Sequence, residues 1–150
     1  NKFIYLAVIM DLYTREIIGV NISRYHNRQL VLGAIIEALN ITKQTPKYIH
    51  SDQGSEYDSE DFIVFVKNKN IIISMSRKAS PWENGHQESF FSTFKLLLAD
   101  VSRFNTEGEL IENIYQTIYY YNYQRIHGSL KTTPADYRKY FEQNRFTLGV

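Results

Sequence analysis

The chain opens on eight consecutive apolar residues, Phe3-Ile4-Tyr5-Leu6-Ala7-Val8-Ile9-Met10. The run is far short of the roughly 18 residues a membrane span needs, and it is the right length for one buried strand. A break over Asp11-Leu12-Tyr13-Thr14-Arg15 follows, and then a second strand-like run, Glu16–Ile22. Two strands joined by so short a link pair as an antiparallel hairpin. A hairpin that is apolar almost throughout needs cover, and the rest of the chain supplies helices. Apolar residues at Leu30, Val31, Ala34, Ile35, Ala38 and Leu39 recur at helical spacing, so a helix is expected over 29–41 with Asn27 as its N-cap. Pro46 closes the connection, and Tyr48-Ile49-His50 reads as a short strand ending in the turn Ser51-Asp52-Gln53-Gly54-Ser55. Asp58 or Ser59 caps a helix to about Lys67, and Ile71-Ile72-Ile73 is the next strand. The polar, proline-broken stretch 76–82 reads as a mobile loop. One long helix is expected from Glu83 to about Arg103, a second from Glu107 to about Gln124, and a short last one with Pro134 in its first turn. Strands and helices that alternate before a helical end give an α/β layer architecture.

Composition narrows the function. With 150 residues, the chain has the size of one domain. Apolar residues at 43% and charged residues at 22% exclude a wholly disordered chain. Cysteine is absent, which excludes disulfides and thiolate metal sites. The formal net charge is +1, and the basic residues divide evenly between the halves, eight in 1–75 and nine in 76–150. Any anion-binding surface must therefore be local. Tyrosine is abundant, with 12 copies, and suits half-buried faces and interfaces.

Few residues stand out as chemistry. Asp52 follows a strand and precedes a glycine turn, the place where α/β sheets form sites, although a turn-forming role explains a lone Ser-Asp-Gln-Gly equally well. Asn84, Glu88, Ser92 and Lys95 are spaced four, four and three apart, one polar stripe on a helix. By itself such a stripe is an ordinary solvated face. Gly85 argues otherwise, because glycine is a poor helix former unless something approaches the backbone closely. Two carboxylates from separate elements could share Mg²⁺, a cation that takes oxygen ligands together with substrate phosphates. A pair of such ions suits in-line displacement at phosphorus and usually needs a third carboxylate. His26, His50, His86 and His127 have no zinc spacing. Nucleophile-elbow, phosphate-loop and dinucleotide-loop motifs are absent.

The order of the motifs carries more than any one of them. Tyr5–Gly19 (YLAVIMDLYTREIIG), His50–Tyr57 (HSDQGSEY), Glu83–Phe91 (ENGHQESFF) and Tyr121–His127 (YNYQRIH), with Leu130 and Pro134 behind, span most of the chain. Together they resemble the catalytic core of DDE transposases and retroviral-type integrases, bacterial insertion-sequence transposases above all. Between Asp52 and Glu88 lie 35 residues, the spacing in this family's motif.

The resemblance implies an RNase H-like fold, a central mixed five-stranded sheet flanked by helices, with a C-terminal helical extension from about residue 105 and the first strand missing ahead of Asn1. It implies DNA strand cleavage and strand transfer that depend on two Mg²⁺ or Mn²⁺ ions. Asp52 and Glu88 match the second and third catalytic, metal-holding acids. Lys95 matches a base that contacts terminal DNA, and Asn84 a position near the DNA end; Arg77 and Lys78 are assigned to DNA as well. The family's first Asp would lie upstream of Asn1, so this stretch by itself is expected to be inactive. Asp11 is no substitute, since its segment matches the family's second strand, where it orders the hairpin turn beside Arg15. Arg125 and His127 are open between phosphate contacts and ties within the tail, with structure favoured because the tyrosines around them look packed. The expected partners are transposon-end and target DNA and further copies of the chain, in a bacterial cytoplasm and with no membrane. Two other readings stay open: a catalytically incomplete core that only binds DNA or multimerises, and an RNase H-type nuclease.

Overall fold

The computed structural model describes residues 3–51, 59–75 and 85–145. The chain divides into two compact units, one of Asn1–Ile9 with Ile18–Gln87, the other of Met10–Ile17 with Glu88–Val150.

The first unit is built from strands β1 (Tyr5–Met10) and β2 (Ile17–Ser23), helix α1 (Arg28–Thr42), strand β3 (Tyr48–Ser51), helix α2 (Glu60–Asn68) and strand β4 (Ile72–Met75). β1 pairs with β2, and β3 pairs in parallel with β4, Tyr48 opposite Ile72 and Ser51 opposite Met75. The parallel pair needs a crossover, and α2 provides it. Helix boundaries follow local chemistry. The Asn27 side chain accepts from the Leu30 N–H, and Ser59 accepts from the Phe62 N–H. Val31 and Ile35 of α1, Phe62 and Val66 of α2, and Ile71 form a buried cluster against which Ile9, Ile49 and Ile73 pack. Burial of each such side chain contributes about 1.5–3 kcal/mol. At Gly19 of β2 an added Cβ would stand 2.2 Å from the Ala34 carbonyl oxygen. Glycine is thus what lets strand and helix approach so closely. Asn21 donates to the Leu30 carbonyl at 2.9 Å, and Glu37 accepts the Val20 N–H, so polar bonds add to the contact between β2 and α1.

The second unit holds the hairpin tip with helices α3 (Gly85–Leu98), α4 (Glu107–Tyr123) and α5 (Pro134–Arg145). Thr106 and Glu109 form a reciprocal capping box at the start of α4. Phe90 of α3 meets the Tyr121 ring of α4 edge-on at 4.9 Å between centroids. The hairpin tip is gripped twice. The buried Asn122 amide accepts from the Ile17 N–H at 2.9 Å and donates to the Ile17 carbonyl at 2.8 Å, the two bonds a neighbouring strand would otherwise make. Buried Glu16 takes the Nε and Nη2 donors of Arg138 on α5, which raises the arginine pKa further above its ordinary value. Tyr13 lies against Tyr137 and Phe141.

Among the described residues the strands form two two-stranded ladders, β1 with β2 and β3 with β4. Two expectations need correction. The long helix expected to run to Arg103 ends at Leu98: Ala99 takes a left-handed φ of 58°, and Asp100 then caps a single 3₁₀ turn over Val101–Arg103 by accepting from the Ser102 N–H. The tail tyrosines are also less packed than expected. Tyr121 is buried, whereas Tyr115, Tyr119, Tyr120 and Tyr123 are exposed, with Tyr119 stacked on Tyr123.

Candidate active site

Helix α3 carries the described part of the site. Phe90, Phe94 and Leu98 recur every four residues and are buried, which turns the opposite face outward. Glu88, Ser92 and Lys95 are exposed on that face. At 1.5 Å per residue, Glu88 and Lys95 stand about 10 Å apart along the axis, two turns on one side. The Glu88 carboxylate has no hydrogen bond or ion pair among the described residues. It sits in the first turn of α3. An added Cβ at Gly85 would meet nothing within 4 Å. No described neighbour requires glycine there, and the backbone of the first turn is open to approach.

Asp52 follows Ser51 in sequence, and Ser51 is the last residue of β3, whose carboxyl end is where α/β sheets place their sites. Beside it in sequence, His50 Nδ1 lies 3.1 Å from Ser74 Oγ across that ladder. Asp52 itself lies outside the described residues, as do Arg77, Lys78 and Asn84. The structure therefore places Glu88 and Lys95 on one helix face and leaves the other four undescribed. Among the described residues, no group of three or more histidines and acids could hold a metal ion. On the outward face of α3, Glu88 offers a carboxylate of the kind Mg²⁺ takes, unpaired among the described residues.

Asp11, the acid set aside on sequence grounds, is committed elsewhere. Its Oδ1 accepts from the Tyr13 and Thr14 N–H groups, both at 2.8 Å, and so builds the hairpin turn. The tail motif acts through a residue the sequence reading did not single out, Asn122, whose partner Ile17 is 105 positions away. Thr106-x-x-Glu109 is a further local signal, a capping box legible in four letters.

The integrase core domain model matches residues 1–81, and a second model of the same description matches residues 69–134. The chain belongs to the integrase core domain family. Among its relatives is the transposase for insertion sequence element IS904 of Lactococcus lactis, 35% identical over 140 residues, which cover 91% of this chain and 55% of that protein. Another is the putative transposase InsK for element IS150 of Escherichia coli K12, 31% identical, covering 90% of this chain and 48% of that one. The chain spans about half the length of the curated relatives it matches. Of solved structures, the catalytic core domain of BIV integrase aligns with a TM-score of 0.72 at 16% identity, over 94% of this chain and 89% of that one. The HTLV-2 integrase catalytic core domain in complex with magnesium aligns with a TM-score of 0.69 at 18% identity, over 87% and 82%. The fold of this integrase core is thus α/β and RNase H-like. No helix of the described residues is long and apolar enough to cross a membrane.

Proposed function

We propose that this integrase core is the catalytic part of a DNA transposase that cuts and joins DNA strands with the help of a divalent metal. The observation that carries the reading is the outward Glu88 carboxylate on the first turn of α3, unpaired among the described residues, with 35 residues between it and Asp52, the residue that follows β3 in sequence. The transposase relatives support it, and so does the HTLV-2 integrase core, whose structure is a complex with magnesium. Asp52 and Glu88 would hold Mg²⁺ or Mn²⁺, two ions in the complete enzyme; the ions would supply Lewis acidity at the phosphodiester. A water or a 3′-hydroxyl then attacks phosphorus in line with the departing oxygen. Lys95 holds a backbone phosphate of the DNA end beside Glu88. Asn84 flanks that end, and Arg77 and Lys78 hold the strand leading to it. The protein works as a homo-oligomer on paired transposon ends and target DNA, in the bacterial cytoplasm.

The third acid of a two-ion site is not Asp11, whose carboxylate is spent in its turn. Residues 1–150 by themselves are accordingly expected to transfer strands poorly and to bind metal weakly. The test is made in the intact protein: Asp52→Asn and Glu88→Gln should each abolish Mg²⁺-dependent strand transfer while leaving DNA binding within a few-fold of wild type. Strand transfer at the wild-type rate in either variant would overturn the mechanism. Cleavage of RNA–DNA hybrids in place of DNA joining would favour the RNase H-type nuclease instead.

A further inference from the structure

We infer that Arg15 and Arg125 together form a phosphate-binding site, at the hairpin tip and the end of α4, which takes a phosphodiester of the bound DNA. The inference rests on the DNA reading above and extends it to a motif that the reading leaves unused.

Local charge comes first. The chain as a whole is almost neutral, but between Glu112 and Asp136 there is no acidic residue, whereas Arg125, His127 and Lys131 all fall in that stretch. The clasp between Asn122 and Ile17 brings a further cation, Arg15, to the same end of α4. Its two acidic neighbours in sequence are already engaged. Asp11 accepts from the hairpin turn, and Glu16 is held by Arg138. Neither forms an ion pair with Arg15 among the described residues.

The local geometry then leaves a gap. Arg15 sits at a left-handed φ of 64°, and its N–H donates to the Asp11 carbonyl at 2.8 Å. A non-glycine residue at such an angle costs energy, so the turn fixes where this side chain starts. Its Nη1 is buried and has no acceptor among the described residues, a state that disfavours folding unless something completes it. The Arg125 guanidinium lies 5.9 Å from the Tyr121 ring centroid and forms no ion pair among the described residues. Burial raises the pKa of the Tyr121 hydroxyl, while the charges of Arg125 and Arg15 pull it down. Both cations thus act on one phenol. A C-terminal arginine interacting with its helix dipole would account for Arg125, but not for a buried, unmatched Nη1 on Arg15. Arg15 as a whole is only half-buried, so an oxyanion held by its other donors and by Arg125 offsets the unmatched charge without reaching Nη1 itself, and planar guanidinium forks suit phosphate. Tyr121 packs on Phe90 of α3, so the pair adjoins the helix that carries Glu88 and Lys95.

The test is fluorescence anisotropy of a labelled DNA duplex over a salt series, with Lys95→Gln as a control for DNA binding at α3. Arg15→Gln and Arg125→Gln should each raise Kd by about three- to tenfold and reduce the slope of log K against log salt by about one. Arg125→Lys, which keeps the charge, should keep the slope. If both Gln variants bind as wild type while Lys95→Gln binds more weakly, the pair holds no phosphate and the DNA reading stands. If wild type binds no duplex, the DNA reading falls and this site with it. A measurement on unmodified protein guards against misfolded variants: the Arg15 and Arg125 Nε–H resonances should shift when duplex is added and not when sodium chloride is added. Resonances that stay in place would overturn the site.

Discussion

At the residue scale, a few side chains in this molecule stand in for backbone. Asn122 is the clearest case, because a buried amide satisfies both polar groups of Ile17 and is itself satisfied by them. Asn122→Ala leaves a buried N–H and a buried carbonyl without partners, and each costs about 1–3 kcal/mol. The expected loss of stability is about 2–4 kcal/mol, read from urea denaturation of wild type and variant. A loss below about 0.5 kcal/mol, the scale of an ordinary surface change, would show that water reaches Ile17 and that the clasp does not hold the hairpin tip. Sequence could not show this bond. Within YNYQRIH the charged letters draw attention, and a side chain that bonds a backbone 105 positions away leaves no periodic trace. Asp11 was legible for the opposite reason, since an acid that accepts from the residues two and three ahead of it is local turn chemistry. Gly19 lies between the two. Its type marks a close approach, but only the packed structure supplies the Ala34 carbonyl as the reason.

At the scale of elements, starts were easier to read than stops. Asn27 and Ser59 cap α1 and α2 through their own side chains, and both residues belong to the short set that does so. The end of α3 was hidden because Ala99 is the strongest helix former, yet it occupies a left-handed φ of 58° with its N–H donating to the Lys95 carbonyl at 3.1 Å. What stops the helix is the next residue. Asp100 spends its carboxylate on the Ser102 N–H and hydroxyl, at 2.9 and 2.7 Å, and holds its own backbone extended to do so. This competition between a good helix former and a capping acid is decided by the acid and is recorded as strain at Ala99. Ala99→Gly should therefore stabilise the protein, against the usual direction of that substitution in helices, by about 1 kcal/mol. Ala99 is exposed, so the lost methyl removes little packing. A lower urea midpoint in the glycine variant would mean that the left-handed stop does not form.

At the scale of the whole molecule, the order of elements was legible because each rests on local pattern, namely apolar runs and helical spacing. The arrangement of the sheet was not, since pairing between ladders is a long-range property that no single run declares. The overall charge of +1 makes one further demand. If residues 1–150 hold DNA as proposed, so small a net charge excludes a diffuse basic surface on them, and their affinity has to come from a few placed cations. Those proposed to meet phosphate are Lys95, Arg77, Lys78, Arg15 and Arg125. Each phosphate neutralised on duplex DNA contributes close to −0.9 to the slope of log K against log salt, so five of them give about −4 to −5. Anisotropy titrations of one duplex from low to moderate salt measure that slope directly. A value steeper than about −7 would require at least two or three more cations than the proposed set contains; a value near −2 would mean that most of the set faces water in the complex. The slope is thus a count of the groups that touch the backbone, and it can be taken without knowing which DNA sequence the protein prefers.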